Sequence, residues 1–350
     1  MNSAMTQPYD SILIVAFGGP EGMADVMPFL ENVTRGRNIP HERLLEVAHH
    51  YEGFGGVSPL NEQMRQLIAA LQIELDKHGP HLPVYWGNRN WYPMLGDTLK
   101  QMAADGRKRA VAFFASAYSS YSGCRQYREN VEVARQGAGE DSPIVEKVRV
   151  FYNHPGFIEP MIERVRSAIA LLPAQLRSEA KLVFTAHSIP SSMAAGCRYE
   201  AQLREASRLV AEGVGRSDWT LVYQSRSGPP TQPWLEPDVC EFLREIHVKN
   251  EAKAVVIVPI GFISDHMEVI YDLDHEAKDV CEEIGLPMVR AGTVGTHPRF
   301  VQMVRELIVE RLTPGSARPV VGDHPASHDV CPIDCCKPPM RPPVARQHSA

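Results

Sequence analysis

Apolar residues follow two arrangements along this chain: short uninterrupted runs, and longer segments in which they recur every three or four positions. Short runs between turn residues are typical of buried strands, whereas the longer period is typical of amphipathic helices. The runs predict strands over residues 11–16, 82–88, 110–117, 182–185, 220–224 and 254–262. The helical period covers residues 43–51, 61–77, 94–105, 127–135, 160–172, 199–213, 239–248, 268–284 and 298–312.

This alternation of strands and helices predicts the fold class. Strands separated by helices form parallel sheets joined by right-handed crossovers. Three strands are visible in each half of the chain, and we expect one more in each half that the pattern does not reveal. We therefore predict an α/β protein of two similar Rossmann-like, doubly wound, parallel-sheet domains with an active-site cleft between them. Ligands of such sheets bind at the carboxyl ends of the strands.

The same pattern divides the chain into five parts. We expect a disordered N-terminus, two domains, a final helix and a proline-rich tail that contains cysteines. These parts are residues 1–9, 10–160, 161–297, 298–312 and 313–350, respectively.

Charge and composition narrow the class of protein. The formal net charge of −6 argues against a nucleic-acid partner and leaves no polybasic membrane patch. The first ten residues lack the features of a signal peptide, and no apolar run approaches the length of a membrane span. We therefore expect a cytoplasmic protein, in which clustered cysteines are better explained by a metal site than by disulfides.

Candidate chemistry lies in the segment after the last predicted strand, where Glu268, Asp272 and Glu276 are spaced four residues apart. On a helix these carboxylates share one face and repel one another, so a cation or water is expected beside them. His187 follows another strand, and imidazole with carboxylates suits a divalent ion. Local alternatives are a capping box between Asp265 and Glu268, a solvated acidic face, and a structural histidine.

Two glycine-rich segments, 18–22 and 53–56, match neither the dinucleotide fingerprint nor the P-loop. They are either plain turns or backbone that approaches a flat ligand closely. Side chains nearby could hold the carboxylates of such a ligand, although solvated loop charge is the ordinary explanation for arginines. These side chains are Arg35, Arg37, Ser58 and Tyr127.

The tail carries three thiols within six residues: Cys331, Cys335 and Cys336. Four thiolates hold a zinc ion or an iron–sulfur cluster, so a fourth ligand must come from elsewhere. Cys240 and Cys281 fall in predicted helices and are typical of small buried residues. Cys124 and Cys197 lie in or beside loops and are the candidates.

Several motifs together resemble those of the ferrochelatases, which insert ferrous iron into a porphyrin at the end of haem synthesis. The pair His-Ser-Ile-Pro and Ser-Asp-His-x-Glu is the most specific part of the resemblance. The matching segments occur in family order at residues 17–20, 54–60, 184–190, 223–230, 233–235 and 259–268.

The resemblance implies roles for the acidic segment and for His187. His187 and Glu268 would be the catalytic residues and metal ligands, on opposite faces of a bent porphyrin, with one accepting the pyrrole protons and the other presenting Fe²⁺. Asp272 and Glu276 would continue as a path for metal or protons.

The resemblance also implies the porphyrin contacts. Arg35, Ser58 and Tyr127 would hold propionates, and Phe17 replaces a tyrosine that ligates iron in some bacterial members. These features favour coproporphyrin III over protoporphyrin IX as the substrate.

A subset of the family carries a [2Fe–2S] cluster, which here would be held by Cys331, Cys335, Cys336 and Cys124, with Cys197 as the alternative fourth ligand. The resemblance further implies a monomer whose final helix packs back on the first domain. The alternatives are a protoporphyrin IX ferrochelatase, another tetrapyrrole metal chelatase, and a non-enzymatic protein that binds a tetrapyrrole or an iron–sulfur cluster.

Overall fold

The computed structural model describes residues 8–36, 39–228 and 231–338. Arg37, most of the predicted N-terminal segment 1–9 and the end of the tail from residue 339 lie outside the described residues. The strands are β1 Ser11–Ala16, β2 Val84–Asn88, β3 Arg109–Phe114, β4 Ile144–Lys147, β5 Ala180–His187, β6 Trp219–Gln224, β7 Ala254–Val258 and β8 Met288–Arg290.

Helices connect these strands throughout both halves. The α-helices are α1 Met23–Val33, α2 His41–Glu52, α3 Leu60–His78, α4 Leu95–Ala104, α5 Gln126–Ala138, α6 Pro155–Leu171, α7 Ser191–Ala194, α8 Tyr199–Gly213, α9 Val239–Val248, α10 Met267–Val269, α11 Ala277–Ile284 and α12 Pro298–Leu312. Two π-helices, Tyr121–Arg125 and Ile270–Glu276, and a 3₁₀ turn, Ala174–Leu176, complete the described elements.

Two four-stranded parallel sheets confirm the predicted fold class. The strand order is β2-β1-β3-β4 in the first sheet and β6-β5-β7-β8 in the second, so the two halves repeat one topology. The central strands β1 and β7 are buried along their whole length, as expected for sheets covered on both faces. Each half contains the additional strand that we expected, and these strands are β4 and β8.

Three predicted elements differ most from the structure, and the strand predicted over 110–117 also ends early, at Phe114. The strand predicted over 254–262 ends at Val258, because Pro259 and Gly261 continue the apolar run as a loop. Helix α6 begins at Pro155, five residues before its predicted start, with proline in the first turn, where its missing N–H costs no hydrogen bond. The helix predicted over 268–284 is interrupted by a π-helical segment.

Contacts between the halves bring the carboxyl ends of the two sheets together. The Tyr118 hydroxyl donates to the Ile260 carbonyl at 2.8 Å, which joins the exits of β3 and β7. Helix α12 packs against α3 and α6. Its Arg305 donates to the His78 and Gly79 carbonyls at the end of α3.

The segment after α12 crosses the junction between the halves. The Val321 N–H donates to the Asn153 carbonyl, and the Asn153 amide donates to the His324 carbonyl. Asp323 approaches Arg208 of α8. These contacts hold the tail against the folded body up to its cysteines. Among the described residues, each helix is too short or too polar to cross a membrane.

Candidate active site and tail cysteine site

The candidate site lies at the switch point of the second sheet, between the parallel neighbours β5 and β7. The connection after β5 runs to β6 on one side, and the connection after β7 runs to β8 on the other. Open α/β sheets bind ligands outside the strand ends at this point. His187 is the last residue of β5, and residues 264–268 follow β7. The fold therefore brings the imidazole and the first carboxylate of the acidic segment to the same place.

Hydrogen bonds fix the tautomer of His187. Its Nδ1 contacts the Ser188 carbonyl at 2.5 Å, and because a carbonyl only accepts, Nδ1 carries the proton. In the neutral ring, Nε2 then presents a lone pair, and it lies 3.8 Å from Glu268 Oε1. The Tyr199 hydroxyl donates to the His187 carbonyl at 3.1 Å. The arrangement suits a shared metal ion or a proton acceptor.

The capping box suggested for Asp265 and Glu268 is not formed. His266 caps α10 instead, and its Nδ1 accepts from the Glu268 N–H at 3.2 Å. The Asp265 carboxylate pairs with Arg290 at 2.8 Å, and Arg290 also forms a forked pair with Asp274 at 2.6 and 2.8 Å. The Glu268 side chain is therefore available to face His187.

Gln63 of α3 holds the same turn from the other half of the protein. Its amide nitrogen donates to the Asp265 carbonyl, and its amide oxygen accepts from the Asp265 N–H, both at 2.9 Å. This reciprocal pair fixes the backbone three residues before Glu268.

The Asp272 carboxylate lies beyond the His187–Glu268 pair and accepts hydrogen bonds from residues at the end of β6. The Gln224 amide donates to the Glu268 carbonyl at 2.7 Å and to Asp272 Oδ2 at 3.2 Å, and the Ser225 hydroxyl donates to the same oxygen. Ser225 has a φ of +60°, a strained conformation that places its hydroxyl there. Burial raises the pKa of Asp272 to about 7 against the Ser225 hydrogen bond, and the charges of Glu268 and Glu276 add to the rise.

An open cavity of about 360 Å³ adjoins Asp272 and Glu276. Burial raises the pKa of Glu276, and the Asp238 charge adds to this effect. The lining is mostly polar and consists of Gln224, Ser225, Asp238, Val239, Cys240, Arg244, Asp272, Glu276 and Val280. The acidic residues therefore lead from Glu268 into a water-accessible space.

Residues of the first half cover the π-helix that carries Asp272. The His50 ring stacks on Tyr271 with centroids 3.9 Å apart, and Phe54 contacts His275 edge-to-face at 5.2 Å. Burial raises the pKa of Tyr51, and the Glu268 charge contributes to the rise. The glycine-rich loop around residues 53–56 therefore belongs to the same site as the acidic residues.

Two of the predicted porphyrin contacts lie around one arginine. The Arg89 guanidinium stacks over the Tyr127 ring at 4.3 Å and over the Phe17 ring at 5.7 Å. Tyr127 is buried, whereas Arg35 is exposed in the loop after α1.

Ser58, a further predicted contact, is also buried. Its hydroxyl accepts from the Leu60 N–H at 3.4 Å. Gly19 packs so closely on Ser58 that a Cβ at this position would lie 2.6 Å from the serine Cβ.

The tail returns its thiols to the first π-helix. Cys124 hydrogen bonds to Cys331, which lowers the pKa of Cys331 to about 4 and raises that of Cys124. Cys335 and Cys336 have their sulfurs 3.6 Å apart. Cys197 lies near Cys335, but its thiol is directed to the Met193 and Ala194 carbonyls of its own turn.

Sequence reasoning missed the residues that position this site, namely Gln63, Arg89, Tyr199, Gln224, His266 and Arg290. His266 caps its own turn, but the partners of the other five lie at least 12 residues away, so no spacing could identify them. Gln224 could have been suspected, since it is the last residue of β6 and ligands bind at the carboxyl ends of such strands.

Comparisons with known proteins agree with this geometry. The sequence profile of the ferrochelatase family matches residues 9–312. A ferrochelatase of Rhodopirellula baltica is 59% identical over 339 residues, covering 97% of this chain and 96% of the relative. A coproporphyrin III ferrochelatase of Streptomyces coelicolor is 50% identical over 351 residues and covers 94% and 93%, respectively.

Two solved structures share the fold at low sequence identity. SirB from Bacillus subtilis with Fe³⁺ superposes with a TM-score of 0.53 at 12% identity, covering 85% of this chain and 95% of SirB. A multi-domain protein of Deinococcus radiodurans with structural similarity to chelatases gives 0.52 at 15% identity, covering 87% of this chain and 55% of that protein. With a profile match over most of its length and relatives of this identity, the chain belongs to the ferrochelatase family.

Proposed function

We propose that this chain inserts Fe²⁺ into coproporphyrin III in haem biosynthesis. The observation that carries the proposal is the His187–Glu268 pair, whose facing nitrogen and oxygen lie 3.8 Å apart at the sheet switch point. Family membership supports iron insertion, and relatives named coproporphyrin III ferrochelatases support the choice of porphyrin.

His187 and Glu268 would act from the same side of the porphyrin. A planar ring between two groups needs about 7 Å, because each face requires about 3.5 Å of van der Waals contact distance. The observed 3.8 Å instead suits two ligands of one metal ion. This proposal differs from the opposite-face arrangement implied by the resemblance, which would require the two side chains to separate.

Insertion releases two pyrrole protons for each Fe²⁺ that enters the ring. His187 Nε2 and Glu268 are the groups that would receive them or hand over the metal. Asp272, whose pKa of about 7 lets it take up and release protons near neutrality, would pass them towards Glu276 and the cavity. We infer this direction from the order Glu268, Asp272, Glu276 along α10 and the π-helix that follows it.

The porphyrin would lie against the first half, where Phe17 and Tyr127 flank Arg89 and Ser58 adjoins Gly19. Gly19 and Gly56 let segments of this half pack closely on one another, because an added Cβ would lie 2.6 Å from the Ser58 Cβ and 2.3 Å from the Met23 nitrogen, respectively. Arg35, Ser58 and Tyr127 remain the proposed propionate contacts.

Cys124, Cys331, Cys335 and Cys336 are proposed to hold a [2Fe–2S] cluster. Their chemistry fits, because four thiols converge, and Cys336 is buried with its backbone at a φ of +53°, a conformation that ordinary residues avoid. Arg125 donates to the Ile333 and Cys335 carbonyls, each at 3.3 Å, which fastens the tail beside Cys124. Bound there, the cluster would cross-link the tail to the π-helix that precedes Tyr127.

Anaerobic steady-state assays with both porphyrins test the proposed function. We expect kcat/KM for Fe²⁺ insertion into coproporphyrin III to exceed that for protoporphyrin IX by at least about tenfold, or about 1.4 kcal/mol. An equal or reversed preference would overturn the substrate assignment. Turnover only with cobalt or nickel and another tetrapyrrole would overturn the reaction itself. A cytoplasmic location and a monomeric state remain predictions of this proposal.

A further inference from the structure

The tail site contains one donor more than a four-thiol cluster requires. His328 joins Cys331 and Cys335, and the three potential ligand atoms all lie within 4.8 Å of one another. His328 Nε2 is 3.7 Å from the Cys335 sulfur, and the ring also lies within hydrogen-bonding reach of Cys331. The imidazole is therefore directed at two of the proposed ligands.

The backbone on both sides of His328 is held in place. Arg318 donates to the Ser327 carbonyl at 2.7 Å and to the Asp329 carboxylate at 3.0 Å. Arg318 is in turn paired with Glu310 of α12 at 2.8 Å, and Glu310 is fixed by the buried Arg149 at 2.9 Å. These ion pairs connect the backbone around His328 to the core. The position of the ring beside the thiols is therefore fixed by the fold.

We propose that His328 donates a hydrogen bond from Nε2 to the Cys335 thiolate and is not itself a cluster ligand. The inference rests on the cluster assigned under the proposed function. Four thiols already complete the ligand set, and the histidine is exposed, whereas Cys336 is buried beside Cys335. An N–H donor beside a thiolate stabilises the extra negative charge of a reduced cluster, which raises its reduction potential.

Purified full-length protein provides a readout that does not depend on activity. Iron and acid-labile sulfide are counted, and the visible spectrum is recorded. The reduction potential is measured by titration with dithionite, whose sulfur dioxide radical anion supplies the one electron that each cluster takes up. The variants are His328→Ala, which removes the donor, and His328→Gln, which can retain one. His81→Ala, at an exposed histidine before β2, is the matched control.

We expect all four proteins to bind the cluster with the same four-thiolate spectrum. The potential of His328→Ala should become more negative, with the equilibrium constant for reduction lowered about three- to tenfold, where tenfold is about 59 mV for one electron. His328→Gln should recover part of this shift, and His81→Ala should equal the wild type.

Two results would overturn the proposal. An unchanged potential in His328→Ala would make the histidine a bystander, and loss of the cluster or a changed ligand signature in its spectrum would make it a ligand. Wild-type protein without iron and sulfide would instead refute the cluster assignment on which the inference depends.

Discussion

Asp272→Asn offers a quantitative test of the acidic path. The ordinary carboxyl value of 3.8 is raised to about 7 in the folded protein, mainly by burial. At pH values between these two, the folded protein holds a proton that the unfolded chain releases. The free energy of unfolding therefore falls as the pH rises through this window. Asparagine removes the charge while its oxygen still accepts from Ser225 and Gln224.

The expected size follows from the pKa difference. Each pH unit within the window changes the free energy of unfolding by about 1.36 kcal/mol. Between about pH 5 and about pH 7 the wild type should therefore lose about 2–3 kcal/mol that Asp272→Asn retains. Below about pH 3 the Asp272 carboxyl is neutral in both the folded and the unfolded states, so this difference should vanish.

Urea unfolding at a series of pH values measures the effect. The difference in free energy of unfolding between Asp272→Asn and the wild type should grow with pH and level off above about pH 7. Asp279→Asn, at an exposed carboxylate of α11, is the matched control and should stay within about 0.5 kcal/mol throughout. A difference that does not change with pH, or that makes Asp272→Asn less stable at high pH, would refute this reasoning.

Three further predictions concern positioning. Arg290→Met leaves the Asp265 and Asp274 carboxylates without their shared partner and should lower the free energy of unfolding in urea by about 3 kcal/mol. An unchanged free energy of unfolding would contradict the role of Arg290 in holding this turn. Gln63→Ala should lower kcat about tenfold with porphyrin KM little changed, because the Glu268 turn loosens; the reverse pattern in steady-state kinetics would contradict this. Cys124→Ser should abolish the bound iron and sulfide and Cys197→Ser should keep them; the opposite result would exchange the fourth ligand.

Much of the fold was accessible from the sequence because its helices are strongly periodic. Helices α8, α9 and α12 begin and end at their predicted residues, since each alternates a buried and a solvated face. Strands β4 and β8 escaped detection because they span only four and three residues and include charged side chains. Each of these strands is defined by its pairing with a distant strand, β4 with β3 and β8 with β7, and a short stretch of sequence does not contain that pairing.

The candidate site was only partly predictable. Strand exits identified His187 and the acidic segment, because parallel sheets place ligands there. The capping interpretation of Asp265 failed because its carboxylate pairs with Arg290, which lies 25 residues later in the chain. The π-helix over Ile270–Glu276 was read as ordinary helix, since the four-residue spacing of carboxylates is compatible with either form.

The central claim is that His187 acts directly in metal insertion. The measurement is anaerobic steady-state insertion of Fe²⁺ into coproporphyrin III by the wild type, His187→Ala and the surface control His81→Ala, with porphyrin affinity followed by fluorescence. We predict that His187→Ala lowers kcat by about 10²–10⁴-fold and leaves porphyrin affinity within about threefold, while the control is unaffected. Near-normal kcat in His187→Ala would contradict the account.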